Sequence, residues 1–265
     1  INQSVQEIIK DVRLNGDEAL IKYTKKFDNV DIKKSEILIP QNIKDNNKIN
    51  IDKKIMNSFE LAIKNITKFH QKQIPQNYEL EENNLRTGFV WKSIDSVGLY
   101  VPGGKASYPS SVLMNVIPAK IAGVQRIVVV TPSTNGIINP YIMALLDILE
   151  IKEVYQIGGA QAIAALTYGT ETVKPVNKIF GPGNAYVASA KKQVFGIVGI
   201  DLIAGPSEIV VVADKDNNPK WVASDLMAQA EHDENTQSIL ITDDKDFANK
   251  VMFSIKELNE QLPKK

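Results

Sequence analysis

Residues 109–196 read PSSVLMNVIPAKIAGV (109–124), RIVVVTP (126–132), NPYIMALLDILEI (139–151), VYQIG (154–158), AQAIAALTYG (160–169), KIFGPG (178–183) and NAYVASAKKQVFG (184–196). Amphipathic helical patterns alternate with short, continuous apolar strands. Strands apolar on both faces and separated by helices indicate parallel βαβ units. The alternation resumes with IVVVAD (209–214), a helix over 219–232, the strand SILITD (238–243) and a helix over 245–262. The fold class is therefore α/β, built on parallel sheets.

Upstream the pattern differs. Residues 3–27 have helical spacing through Val5, Ile8, Ile9 and Val12, an interruption at Gly16-Asp17, and a second helix carrying Ala19, Leu20, Tyr23 and Phe27. Residues 34–39 predict a short strand. Residues 51–72 predict a long amphipathic helix through Ile55, Phe59, Ala62, Ile63, Ile66 and Phe69. Gln73 to Leu85 reads as a loop, followed by two strands, TGFVWKSI (87–94) and SVGLYVP (96–102), joined by a tight turn at Asp95-Ser96. Breaks before Tyr100 and at Ala204-Gly205-Pro206 suggest a domain of residues 100–207 inserted into an outer domain of residues 1–99 plus 208–265.

The 265 residues hold 31 Lys plus Arg against 31 Asp plus Glu, so charge gives no reason to expect nucleic acid or an anionic membrane as a partner. No apolar run approaches the roughly 20 residues that span a bilayer. The opening INQSVQEIIKDVRLNG has no signal-peptide h-region. A cytoplasmic location is expected. Cysteine is absent, which excludes disulfides, Cys-ligated zinc and thiolate catalysis within this chain. Only two histidines occur, His70 and His232. The chain starts without Met, inside an amphipathic pattern, and a fragment of a longer protein is expected.

Four strand ends carry Gly-rich turns: Val101-Pro102-Gly103-Gly104, Gly158-Gly159-Ala160-Gln161, Gly181-Pro182-Gly183-Asn184 and Ala204-Gly205-Pro206-Ser207. Ligands of open parallel sheets bind at the carboxyl ends of strands, and a following helix N-terminus offers unpaired N–H groups to an anion. A nucleotide or other phosphorylated ligand suits such turns. None matches G-x-G-x-x-G; GPGNAY comes nearest. Each turn by itself is also consistent with ordinary loop punctuation. In DLMAQAEHDENTQ (225–237), Gln229 and His232 lie three apart and share a helix face. Imidazole is a good zinc ligand and an amide oxygen a weaker one, but two donors do not make a site, and on composition alone this is a polar helix end. His70, beside Phe69 at the end of an amphipathic helix, reads as structural or surface.

The motifs GLYVPGG (98–104), GGAQAIAAL (158–166), GPGNAYV (181–187), AGPSE (204–208) and QAEHD (229–233), in this order, resemble the histidinol dehydrogenase family over nearly the whole chain. The resemblance implies two incomplete Rossmann-like domains, one inserted in the other, and small C-terminal domains that have no counterpart here. It implies a homodimer that uses zinc and NAD to oxidise L-histidinol to L-histidine through L-histidinal, the last step of histidine biosynthesis. Tyr100, Gln161 and Asn184 correspond to NAD contacts, Ser207 to a substrate contact, and Gln229 and His232 to zinc and substrate ligands. The family's acid–base Glu-His pair and its further zinc ligands, an Asp and a His from the partner subunit, have no counterpart among these residues. Two other readings stay open on the sequence: a complete, shortened homologue that binds a nucleotide or small amine without catalysis, and a structural α/β protein. A fragment should form no NADH from histidinol by itself and bind zinc weakly. An absorbance assay on this chain alone checks this, and robust turnover would reject it.

Overall fold

The computed structural model describes residues 1–40, 51–103, 108–203, 208–230 and 236–262. These form two compact units, Ile1–Ile203 and Ala204–Lys265. The first is built on a five-stranded sheet in the order β5-β4-β3-β6-β7, with every pairing parallel. Its strands are β3 (Ser96–Tyr100), β4 (Arg126–Val130), β5 (Glu153–Tyr155), β6 (Lys178–Phe180) and β7 (Gly199–Ile200).

Side chains alternate between the two faces of this sheet, as strand geometry requires. Val128, Val130, Tyr100 and Tyr155 enter one core, with α1 (Asn2–Asp28), α6 (Gly159–Tyr168) and α7 (Ala185–Val194). Val97, Leu99, Val129 and Val154 enter the other, with α4 (Pro109–Ile121) and α5 (Pro140–Ile148). The half-buried Phe59, Ala62, Ile63 and Ile66 of α3 (Lys53–His70) pack on that second core. Helix α6 is buried at every position from Ala160 to Thr167. An apolar helix of this kind must be covered on all sides. The sheet covers one side and α1 the other, and the run of alanines lets α1 approach closely.

Local chemistry sets the helix starts. The Asn139 side chain accepts from the Tyr141 N–H at 2.8 Å ahead of Pro140, and Asp52 caps α3 through the Lys54 N–H at 2.6 Å. Helix α1 is kinked at Gly16 (φ 53°, ψ −128°), where the sequence predicts an interruption. Past the kink, the Asp17 N–H donates to the Glu171 carboxylate at 2.8 Å. The fully buried Asp17 side chain accepts from the Thr172 hydroxyl at 2.6 Å and from the Lys34 ammonium at 3.2 Å. This bond set fastens the middle of α1 to the loop after α6.

Three expectations for the N-terminal region change. Residues 34–39 form a helical turn, α2 (Lys34–Ile37), closed by the Glu36 carboxylate on the Lys33 N–H; only Leu38 bridges to a strand, at Tyr155. The expected loop from Gln73 to Leu85 contains β1 (Tyr78–Glu82), which forms an antiparallel hairpin with β2 (Leu85–Phe89). Its turn is Asn83-Asn84, both left-handed (φ 51° and 64°), a type I′ geometry that Asn supplies without the usual Gly. The strand 96–100 does not pair with the preceding strand. It lies at the centre of the parallel sheet between β4 and β6.

The domain division also differs from the expectation. Residues 1–99 cluster with 100–203 rather than with 208–265. The reason is packing: β3 is a central strand, and α1 covers the sheet through α6 and α7. The second unit pairs β8 (Glu208–Val212) and β9 (Gln237–Ile241) in parallel. Helices α8 (Pro219–Ala230) and α9 (Lys245–Gln261) pack around Ala213, Val222, Ala223, Leu226, Phe247 and Val251.

Burial raises the Asp17 pKa, but hydrogen bonds from Thr170, Thr172 and Lys34 outweigh it and leave the group below its ordinary value of 3.8. A lowered folded-state pKa adds stability that is complete above the unfolded value and disappears as pH falls through the folded one. Asp17→Ala should therefore cost about 2–4 kcal/mol at pH 7. The deficit should shrink below about pH 4, measured by urea denaturation of both proteins across pH.

Candidate functional site

The strand order reverses between β3 and β6: connections from β3 run outward to β4 and β5, and those from β6 run the other way to β7. The carboxyl ends flanking such a reversal frame a crevice, because the two sets of connecting loops diverge there. At this place β3 ends in Tyr100 and β6 leads into Gly181. Gly181 has φ 115°, and a Cβ there would collide with the Tyr100 carbonyl oxygen, so only Gly lets the two strand ends meet so closely.

Tyr100 is 3% exposed, and its hydroxyl accepts from the Gly159 N–H at 3.0 Å, at the N-terminus of α6. Burial pushes this hydroxyl up to about 12, against the pull of the Gly159 bond; the nearby Asp28 charge adds to the rise. The phenol thus stays protonated at neutral pH and serves as a neutral hydrogen-bonding group. Gln161, in the first turn of α6, is 1% exposed, and neither its Nε2 nor its Oε1 has a partner. The hydroxyls of Thr131 and Ser133, just past β4, are also buried and unpartnered. Leaving such a group unpaired costs about 1–3 kcal/mol, so several near the carboxyl end of one sheet point to a ligand that pairs with them. Asn184 caps α7, its Oδ1 accepting from the Tyr186 and Val187 N–H groups at 3.0 and 3.1 Å. Asn184 itself is exposed at that helix N-terminus.

The structure therefore brings Tyr100, Gln161 and the turn bearing Asn184 to one end of one sheet. Gln229 is half-buried in the last turn of α8 in the second unit. Ser207 and His232 lie outside the described residues, as does Gly104. Among the described residues no group of three or more His, Cys, Asp or Glu could hold a metal ion. Gln229 is one weak donor of the three or four that zinc takes. His70 bonds through Nδ1 to the Gln73 Oε1 at 2.6 Å and rests edge-on against Phe69. It lines a cavity of about 480 Å³ with Trp91 and Met114, on the core face that Val97 and Leu99 share.

Sequence reasoning missed Thr131, Ser133 and Asp28. The first two follow the strand RIVVV in the tripeptide Thr-Pro-Ser, a polar strand end with no glycine to flag it. Asp28 ends α1, and its Oδ2 is buried without a partner.

The geometry defines an open parallel α/β protein whose strand order reverses between β3 and β6. The histidinol dehydrogenase family model matches residues 1–265, and the chain belongs to that family. It is 53% identical over 252 residues to a histidinol dehydrogenase of Agrobacterium fabrum, covering 95% of this chain and 58% of that protein. It is 51% identical over its whole length to that of Mesorhizobium japonicum, 62% of which is covered. A crystal structure of histidinol dehydrogenase from Elizabethkingia anophelis superposes with a TM-score of 0.93 at 38% identity. That match covers 98% of this chain and 60% of the solved one. The chain thus spans 58–62% of the length of these relatives.

Burial raises the Asp28 pKa from 3.8 to about 6. A raised carboxyl favours the fold only while protonated, so its ionisation destabilises the protein as pH rises from 3.8 through about 6. Asp28→Asn should melt at a higher temperature than the unsubstituted, ligand-free protein at pH 8. The advantage should vanish below about pH 4, followed by differential scanning calorimetry.

Proposed function

We propose that the full-length protein is an NAD-dependent histidinol dehydrogenase that oxidises L-histidinol to L-histidine through L-histidinal. The observation that carries the reading for this chain is the unpartnered Gln161 amide at the switch-point crevice, beside the Tyr100 hydroxyl, in a member of this family. NAD suits this crevice. The positive dipole ends of α6 and α7 would suit its pyrophosphate. The Gln161 amide can donate and accept at once, and Tyr100 offers a neutral phenol. Bound NAD would supply the hydride acceptor, and this chain's residues hold it in place. Conversion of an alcohol to an acid needs two such transfers. No cysteine of this chain is available to trap the intermediate aldehyde as a thiol adduct, and addition of water is a route compatible with its residues.

The substrate side of the reading rests on Ser207, Gln229 and His232. With Gln229 and His232 as donors, zinc would be completed by residues outside this chain, and it would polarise the substrate alcohol and anchor its nitrogens. The acid–base groups are likewise assigned to no residue of this chain. A homodimer working in the cytoplasm belongs to the same proposal. No helix among the described residues is long and apolar enough to cross a membrane.

The test is NADH formation by the full-length gene product from histidinol and NAD. Two NADH per histidinol consumed is the expected result, and absence of turnover in a zinc-loaded, folded preparation rejects the reading. Gln161→Leu should raise the KM for NAD by about tenfold or more, because the ligand loses two hydrogen bonds. The same variant should melt no lower than the unsubstituted protein without ligand, because an unpaired buried amide has been removed.

A further inference from the structure

Lys191 is 4% exposed, on the α7 face that points back to the sheet. Lysine is among the residues least often fully buried, and burial of its charge needs a dedicated set of partners. Here those partners converge on one peptide unit. The Lys191 ammonium donates to the Gly181 carbonyl at 3.0 Å and forms an ion pair with Asp201. The other side of the same glycine is held as well, its N–H donating to the Asp201 Oδ2 at 2.8 Å. The second Asp201 oxygen accepts from the Leu202 N–H at 2.7 Å, and the Asp201 N–H bonds to the Ile179 carbonyl of β6 at 3.1 Å. The regular ladder of β6 ends at Phe180. The side chains of Lys191 and Asp201 therefore take over where backbone pairing stops, and fix both polar groups of the first residue of the Gly181-Pro182-Gly183-Asn184 turn.

We propose that Lys191 and Asp201 are positioning residues for nucleotide binding: a buried clamp that sets the 181–184 turn, and with it the Asn184 cap, against the Tyr100 strand end. This rests on the reading of the switch-point crevice as a nucleotide site. Three features favour positioning over general stability. The pair grips the one glycine whose φ of 115° lets β6 approach Tyr100. Lys191 follows Asn184 by seven residues, two helical turns, so anchoring it fixes α7 in rotation and height relative to β6. An ion pair whose lysine is buried also adds little net stability over apolar packing, so fixing a geometry is the better account of it.

The experiment measures NAD binding by calorimetry, and KM for NAD with kcat, on the folded full-length enzyme. The variants are Lys191→Met, Asn184→Ala and the double variant, each with a thermal melt. The expected result is a rise of about tenfold in Kd for Lys191→Met, with KM for NAD rising more than kcat falls. Lys191→Met should lose most of its effect in the Asn184→Ala background, because both act through one turn. Unchanged NAD affinity in a folded Lys191→Met protein with a lower melting temperature would overturn the proposal, as would losses that simply multiply in the double variant. If Lys191→Met does not fold, Asp201→Asn takes its place: it keeps the volume, removes the charge, and is held to the same outcomes. Failure of the unsubstituted enzyme to bind NAD would overturn the nucleotide reading and the clamp together. Binding by the unsubstituted enzyme with no effect of either variant would remove the clamp alone.

Discussion

The contact between the carboxyl end of β3 and the turn after β6 governs the rest of the molecule. These neighbours lie about eighty residues apart in the chain, and the intervening segment must build the β4–β5 side of the sheet and return over its opposite face. That return is helix α6, whose burial on every side follows from its place between the sheet and α1. Once β3 and β6 are adjacent and parallel, their outgoing loops leave in opposite directions and a crevice is unavoidable. The residues at its mouth are then those at which regular hydrogen bonding ends: Tyr100, Thr131, Gln161 and Gly181.

A sheet end of this kind has a polar problem, and the protein solves it differently on its two sides. At β6 the polar groups just past the strand are satisfied internally by Lys191 and Asp201. Around β4 and α6, the side-chain polar atoms of Thr131, Ser133 and Gln161 are buried without partners. Apolar residues there would be more stable in the ligand-free state. Stability withheld on one side and rigidity built on the other fit a surface that must receive a polar ligand in one orientation.

Much of the architecture was legible in sequence because period and length speak directly to parallel α/β folds. RIVVV and AQAIAALT carry their burial in their composition, and Gly16 marks the kink in α1. The errors fall where local signals were weak. YELEE alternates charge with a few apolar residues, and its Asn-Asn turn lacks the glycine that flags most hairpins, so β1 reads as loop. SVGLY was recognisable as a strand, but its partner was not, because pairing across eighty residues leaves no mark on local periodicity.

The candidate site divides along the same line. Tyr100, Gln161 and Asn184 could be named because the motifs that carry them resemble those of a known family, and those motifs stand at strand ends, where ligand contact is common. Lys191 and Asp201 carry no such flag: a lysine inside a helix and an aspartate after a strand are ordinary surface residues in sequence. Only the fold shows that α7 turns Lys191 inward and that β7 delivers Asp201 to the same glycine. Candidate contact groups can therefore be carried over with a motif. Groups that hold those motifs in place depend on which strand neighbours which, and that information resides in the sheet order alone.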